Sequence, residues 1–191
     1  MRLYIFDMGG VIINNFHTLP EMAETMGIPV NVINEDWKLY ARPLMEGYMS
    51  VWSYYDHLRT HFGYTPEGDF FKDTFHPTRN EVMIDIASRL KAKGNKVVIG
   101  SNTFAPHWPI IDELGYRDAF TGFYASHEMH LIKPDKEFWQ YIMEKEGETP
   151  ENTTFVDDYI ENIEGAASLG IECFNYTGDD KALLEFFSGR I

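Results

Sequence analysis

Four short stretches of the chain carry side chains able to do chemistry on an anionic ester. Asp7 ends the apolar run "LYIF" and is followed by Gly9-Gly10; Ser101-Asn102-Thr103 follow "KVVIG"; Lys133-Pro134 stand ahead of a helical pattern; Asp157-Asp158 follow "TTFV". A carboxylate at the end of an apolar run costs stability unless something there needs it. A carboxylate can attack phosphorus and split one difficult hydrolysis into two steps. The obstacle is repulsion between anions, about 4 kcal/mol for one pair of unit charges at roughly 4 Å near a protein surface. An ammonium and a divalent cation held by carboxylates cancel that repulsion, and hydroxyl and amide groups donate to oxygens as charge moves. A carboxylate, a hydroxyl, an ammonium and an acid pair are the parts that phosphoryl transfer requires.

These residues act together only if the fold brings them together. Apolar runs suited to strands occur at 3–6, 96–100, 122–125, 153–156 and 171–174, separated by segments with helical spacing or turn residues. That alternation predicts an α/β fold, a doubly wound parallel sheet covered by helices. The carboxyl ends of such strands converge on one crevice, where all four stretches would meet. Met83, Ile86, Ala87 and Leu90 mark one helix, with Gly94 at its C-terminal cap; others are expected to start near Pro106, Pro134, Tyr159 and Asp180.

Residues 14–79 break the pattern. Thr18 with Glu21 predicts a capping box ahead of the stripe Leu19, Met22, Ala23 and Met26, and Val51, Tyr54, Tyr55, Leu58 and Phe62 form a second stripe. With no strand read between them, the segment is expected to be a small all-helical insertion after the first strand.

Composition narrows the function. A chain of 191 residues suits one globular unit, and 30 acidic against 16 basic residues give a net charge of -14, which argues against nucleic-acid binding. Cys173 is the single cysteine, so no internal disulfide forms and a cytoplasmic location is expected. Neither a leader segment nor a membrane-spanning run is read.

The order and spacing resemble the haloacid dehalogenase-like (HAD) superfamily of hydrolases: "FDMGGVI", "VVIGSNT", "KPD" and "FVDDYIENIEGAASLGI" match its four motifs. The resemblance implies a Rossmann-like catalytic core at 1–13 and 80–191 with a helical cap at 14–79. It implies Asp7 as nucleophile, Ser101, Lys133 and Asp158 as further catalytic residues, and Gly10, Ser101, Asn102 and Lys133 as contacts to the phosphoryl group. Mg²⁺ would be held by Asp7, the Gly9 carbonyl and Asp158, with Asp157 close by. Gly9 and "SNT" are most similar to the bacterial sugar-phosphate phosphatase branch that includes alpha-glucose-1-phosphate phosphatase. The implied activity is Mg²⁺-dependent hydrolysis of a small phosphorylated metabolite, a sugar phosphate, by a monomer or homodimer that binds neither nucleic acid nor membrane.

Two departures from the family pattern stand out. The family places a second aspartate, an acid and base, where this chain has Gly9. General acid catalysis contributes roughly 10²- to 10⁴-fold, so turnover is low, the leaving group is an easy one, or another residue substitutes. His17 is the candidate substitute. Relatives commonly have glycine where His130 stands, so "SHEMHLIKPD" either folds differently or touches substrate through His127 or His130. The alternative function is a phosphate-ester-binding or regulatory protein without turnover; carbon–halogen hydrolysis is disfavoured by the acid pair.

Overall fold

A computed structural model describes the backbone of residues 1–191 and every side chain except those at 110 and 111. Five strands, β1 (Leu3–Phe6), β4 (Lys96–Ser101), β5 (Gly122–Ala125), β6 (Thr153–Asp157) and β7 (Glu172–Asn175), form one parallel sheet in the order β5-β4-β1-β6-β7. The expected strands are all present within a residue or so. The order places β1 at the centre, with β4 on one side and β6 on the other, so the chain reverses its direction of travel across the sheet beside β1. Ligand crevices of doubly wound sheets open at such a point.

Alternation along β1 builds both sides of the core. Tyr4 and Phe6 join one apolar cluster with Val97, Ile99 and the helix α5 (Glu81–Ala92); Leu3 and Ile5 join the opposite cluster with Val98 and the helix α8 (Lys136–Glu146). Both faces are covered, as a central parallel strand requires. The α5 helix ends as predicted: Gly94 takes a left-handed φ of 82°, and the Asn95 N–H bonds back to the Leu90 carbonyl at 3.3 Å. The remaining helices of this region are α6 (Trp108–Glu113), α7 (Ser126–Met129), α9 (Ile160–Ala167) and α10 (Asp180–Phe187).

Between β1 and α5 lie α1 (Leu19–Met26), α2 (Val30–Met45), α3 (Val51–Phe62) and α4 (Phe70–Asp73). They enclose a third cluster around Met22, Ile33, Leu44, Tyr54, Leu58 and Phe71, into which Phe104 projects from the loop after β4. Buried Asp36 is satisfied there by the Tyr54 hydroxyl at 2.9 Å and His57 Nε2 at 2.7 Å.

Two details of this segment correct the sequence reading. Two-residue strands do occur, β2 (Ile13–Asn14) and β3 (Thr78–Arg79), and they pair antiparallel at its two ends. The capping box at Thr18 does not form: its backbone is helical, with φ -92° and ψ -32°, and its side chain caps nothing, while Glu21 lies 3.2 Å from His76 instead. Among the described residues no helix is long and apolar enough to cross a membrane.

Candidate active site

Register brings the acids together. Phe6 pairs with Ile99 on one side and Val156 on the other, so Asp7 leaves the sheet level with Asp157, and its N–H donates to the Val156 carbonyl at 2.8 Å. Lys133 Nζ then donates to both, at 2.6 Å to Asp7 Oδ1 and 2.7 Å to Asp157 Oδ2. All three groups are buried. Burial pushes the Asp7 carboxyl up to about 7, with Asp157 adding to the rise and Lys133 opposing it. Burial also penalises the charged form of Lys133, but Asp157 and Asp7 outweigh it and hold the ammonium above its usual range.

The two members of the acid pair sit in opposite circumstances. Asp157 is fully engaged: besides Lys133 it accepts from the Tyr159 N–H at 2.8 Å and from Asn162 Nδ2 at 3.0 and 3.1 Å. Asp158 keeps a buried Oδ1 with no partner, and burial followed by the charge of Asp157 pushes its carboxyl up to about 6. A buried acceptor left unmatched is a standing cost unless a ligand completes it. Asp7, Asp157 and Asp158 each offer an oxygen within 4.8 Å of the others, a hard donor set that fits Mg²⁺.

Gly10 explains how Asp158 comes so near. It has a φ of +74°, and a Cβ there would lie 2.3 Å from Asp158 Oδ2, so a side chain is refused on both counts. The glycine seats Asp158 rather than lining the pocket, where the resemblance had it touching substrate.

Above these groups opens a pocket of about 670 Å³ lined by Asp7, Gly9, Ser101, Asn102, Lys133 and Asn162 at its polar end. Ser101 closes β4 and is buried. The Asn102 side chain is tied to the lysine's backbone: its Nδ2 donates to the Lys133 carbonyl and its Oδ1 accepts from the Lys133 N–H, both at 2.9 Å, which leaves one N–H of the amide for a ligand. It fixes the backbone of Lys133. Thr103 Oγ1, beside the pocket, is buried without a partner.

At Gly9, the expected place of the missing acid, a Cβ would lie 3.0 Å from two ring carbons of Phe16. An aromatic ring covers the position. His17 lines the same pocket, exposed, with its ring 4.2 Å from that of Phe16. His127 and His130 do not line it: His127 Nδ1 meets the Thr103 carbonyl at 3.2 Å, and His130, left-handed at φ 58°, meets the Glu46 carbonyl at 2.7 Å and stacks on Tyr48. The departure at His130 thus joins α7 to the helical segment.

The sequence assigns no role to Asn162 or Phe16, and names Thr103 only as part of its stretch. Asn162 lies within the quoted fourth motif, and its spacing of five from Asp157 is the signal that could have found it. Nothing local marks Phe16, which reaches Gly9 through the turn ahead of β2.

The family model for a haloacid dehalogenase-like hydrolase matches residues 1–170. The chain belongs to the haloacid dehalogenase-like hydrolase family. It is 27% identical over 173 residues to the sesquiterpene phosphatase astK of Aspergillus oryzae, covering 87% of this chain and 85% of that protein. It is also 27% identical over 184 residues to the drimenol cyclase drtB of Aspergillus calidoustus, where it covers 90% of this chain but spans only 33% of the longer protein. Among solved structures, a HAD-family enzyme of Bacteroides thetaiotaomicron in a magnesium complex is 26% identical with a TM-score of 0.81, over 97% of this chain and 98% of that one.

Proposed function

We propose that the pocket hydrolyses phosphate monoesters of small metabolites with Mg²⁺, through an aspartyl-phosphate on Asp7. The observation that carries the reading is the buried Lys133 bridging Asp7 and Asp157, beside an Asp158 oxygen that has no partner. The Aspergillus relative named a phosphatase supports it, as does the magnesium complex of the Bacteroides enzyme.

An Asp7 oxygen attacks phosphorus as the bond from phosphorus to the ester oxygen breaks, and the departing oxygen takes a proton from solvent. Water then attacks the aspartyl-phosphate, releasing inorganic phosphate and restoring the carboxylate. Lys133 offsets the charge of the arriving dianion, and Asp157 and Asn102 hold that lysine in place. Ser101, Thr103 and main-chain N–H groups after β4 are placed to donate to phosphoryl oxygens. Mg²⁺, held by Asp7, the Gly9 carbonyl and Asp158, would supply further positive charge at the phosphoryl oxygens.

Phe16 over Gly9 favours a second reading, in which the site binds a phosphate ester with little turnover, because no acid can stand at that position without moving the ring. The likeness of Gly9 and "SNT" to the sugar-phosphate branch supports a sugar phosphate as substrate, whereas the name of the Aspergillus relative suggests a terpenoid ester. The test is phosphate release from a broad panel of monoesters with Mg²⁺ and with chelator, followed by acid trapping of labelled phosphate on the protein. Hydrolysis that needs Mg²⁺ and a label lost in Asp7→Asn support the first reading. Tight Mg²⁺-dependent binding without release selects the second.

A further inference from the structure

Resting on the phosphatase reading for its phosphate end, we infer that the rest of the site is built for a hydrocarbon body: the substrate class is the monophosphate of an apolar alcohol, not of a sugar. Away from Asp7 and Lys133 the wall is made by Phe16, Leu19, Trp37, Met45, Phe75 and Phe104. They come from five separate places, the turn after β2, the start of α1, two turns of α2, the stretch after α4 and the loop after β4, so the apolar surface is assembled by the fold rather than by one greasy segment. The rings are braced against each other: Trp37 lies 5.8 Å from Phe104 and 5.4 Å from Phe71.

The polar members of this wall are poorly suited to a ring of hydroxyls. His107 stacks on Phe75 at 3.8 Å and faces the Phe71 carbonyl at 3.3 Å, so its polar edge is turned to the backbone. Thr18 is buried, and Asn34, His17, Tyr159 and Glu161 are exposed, open to water rather than enclosed with the rings. Each sugar hydroxyl brought against the rings without a partner costs roughly 5- to 150-fold in binding, and a sugar carries several. A hydrocarbon gains from the same surface, up to about fourfold for every methylene withdrawn from water. Charge limits the other end: among the described residues Lys133 is the single Lys or Arg on the pocket, which suits one phosphate group rather than two.

The experiment is a series of straight-chain alkyl phosphates from methyl to octyl, with glucose 6-phosphate and octyl diphosphate, assayed for kcat/KM on the full chain with Mg²⁺. The expected result is a rise of roughly two- to fourfold per methylene over the first several carbons, with hexyl phosphate at least tenfold above glucose 6-phosphate and the diphosphate below the monophosphate. A flat series, or glucose 6-phosphate equal to hexyl phosphate, overturns the inference while leaving the phosphatase reading intact. If no ester turns over, calorimetric binding of octyl against methyl phosphate decides: tighter octyl binding keeps the hydrocarbon site and sinks the phosphatase, and equal binding sinks both. Leu19→Gln and Met45→Gln are expected to narrow the octyl-to-methyl ratio about tenfold. A folding defect lowers both rates together, so an unchanged ratio removes these residues from the assignment.

Discussion

At one end of the pocket Asp7 and Asp157, at strand ends of the sheet, are buried together with Lys133 from the loop ahead of α8. At the other, the helical segment and the loop after β4 present rings and a methionine. The charged end costs stability, because ions withdrawn from water are only partly repaid by one another. The apolar end is an ordinary extension of the third core cluster and contributes stability even while it is left partly open. Chemistry is therefore placed where the backbone is hydrogen-bonded on both sides, and selection where side chains pack and can be exchanged.

Substitutions test that division, beginning with the largest effect. Asp7→Asn is expected to lower turnover by at least about 10³-fold with the fold retained, measured by phosphate release and circular dichroism; a mild loss would move the nucleophile elsewhere. Asp157→Ala is expected to destabilise the protein by roughly 3–5 kcal/mol in denaturant unfolding, since it takes one of two carboxylate partners from a buried ammonium. Its neighbour should behave differently: Asp158→Asn is expected to leave stability unchanged or raise it, because a raised carboxyl is relieved, while weakening Mg²⁺ binding by on the order of 10²-fold in calorimetry. If the two variants behave alike, the contrast drawn between the members of the pair fails.

Gly9→Asp tests the seam between the two ends. Overpacking against Phe16 should cost about 1–3 kcal/mol with no gain in rate, and a gain is expected only when Phe16→Ala accompanies it. At neutral pH the smallest effect belongs to His107, whose imidazole burial lowers from 6.5 to about 3. The folded protein keeps it neutral while the unfolded chain takes up a proton, so stability is full above pH 6.5 and falls as pH drops toward 3, by up to about 1.4 kcal/mol per pH unit. His107→Gln should flatten that slope in unfolding titrations across pH 4–6.5; an unchanged slope would take His107 out of the acid response.

The charged end was legible in the sequence because each acid follows an apolar run of four or five residues, and a parallel sheet aligns such runs by itself. The same logic recovered the five strands. It does not recover what the side chains also do: the Asn102 amide closes on the Lys133 backbone 31 residues away. Gly10 was read as a substrate contact, yet its lack of a side chain makes room for Asp158. The apolar end was hardly legible. Much of α2 went unread because its stripe is thin, with Ile33, Asp36 and Leu44 its buried positions and Pro43 inside the helix. The β2–β3 pair is too short for any period to reveal. Trp37 packs in the third cluster and lines the pocket at once, which no spacing reveals.

That short ribbon, Ile13 opposite Arg79 and Asn14 opposite Thr78, means the polypeptide departs from the sheet and comes back at the same doorstep. Whatever is threaded between those four residues adds little to the entropy of closing the loop, since that cost grows only with the logarithm of its length. The excursion can therefore change in length with little disturbance to the acids beneath.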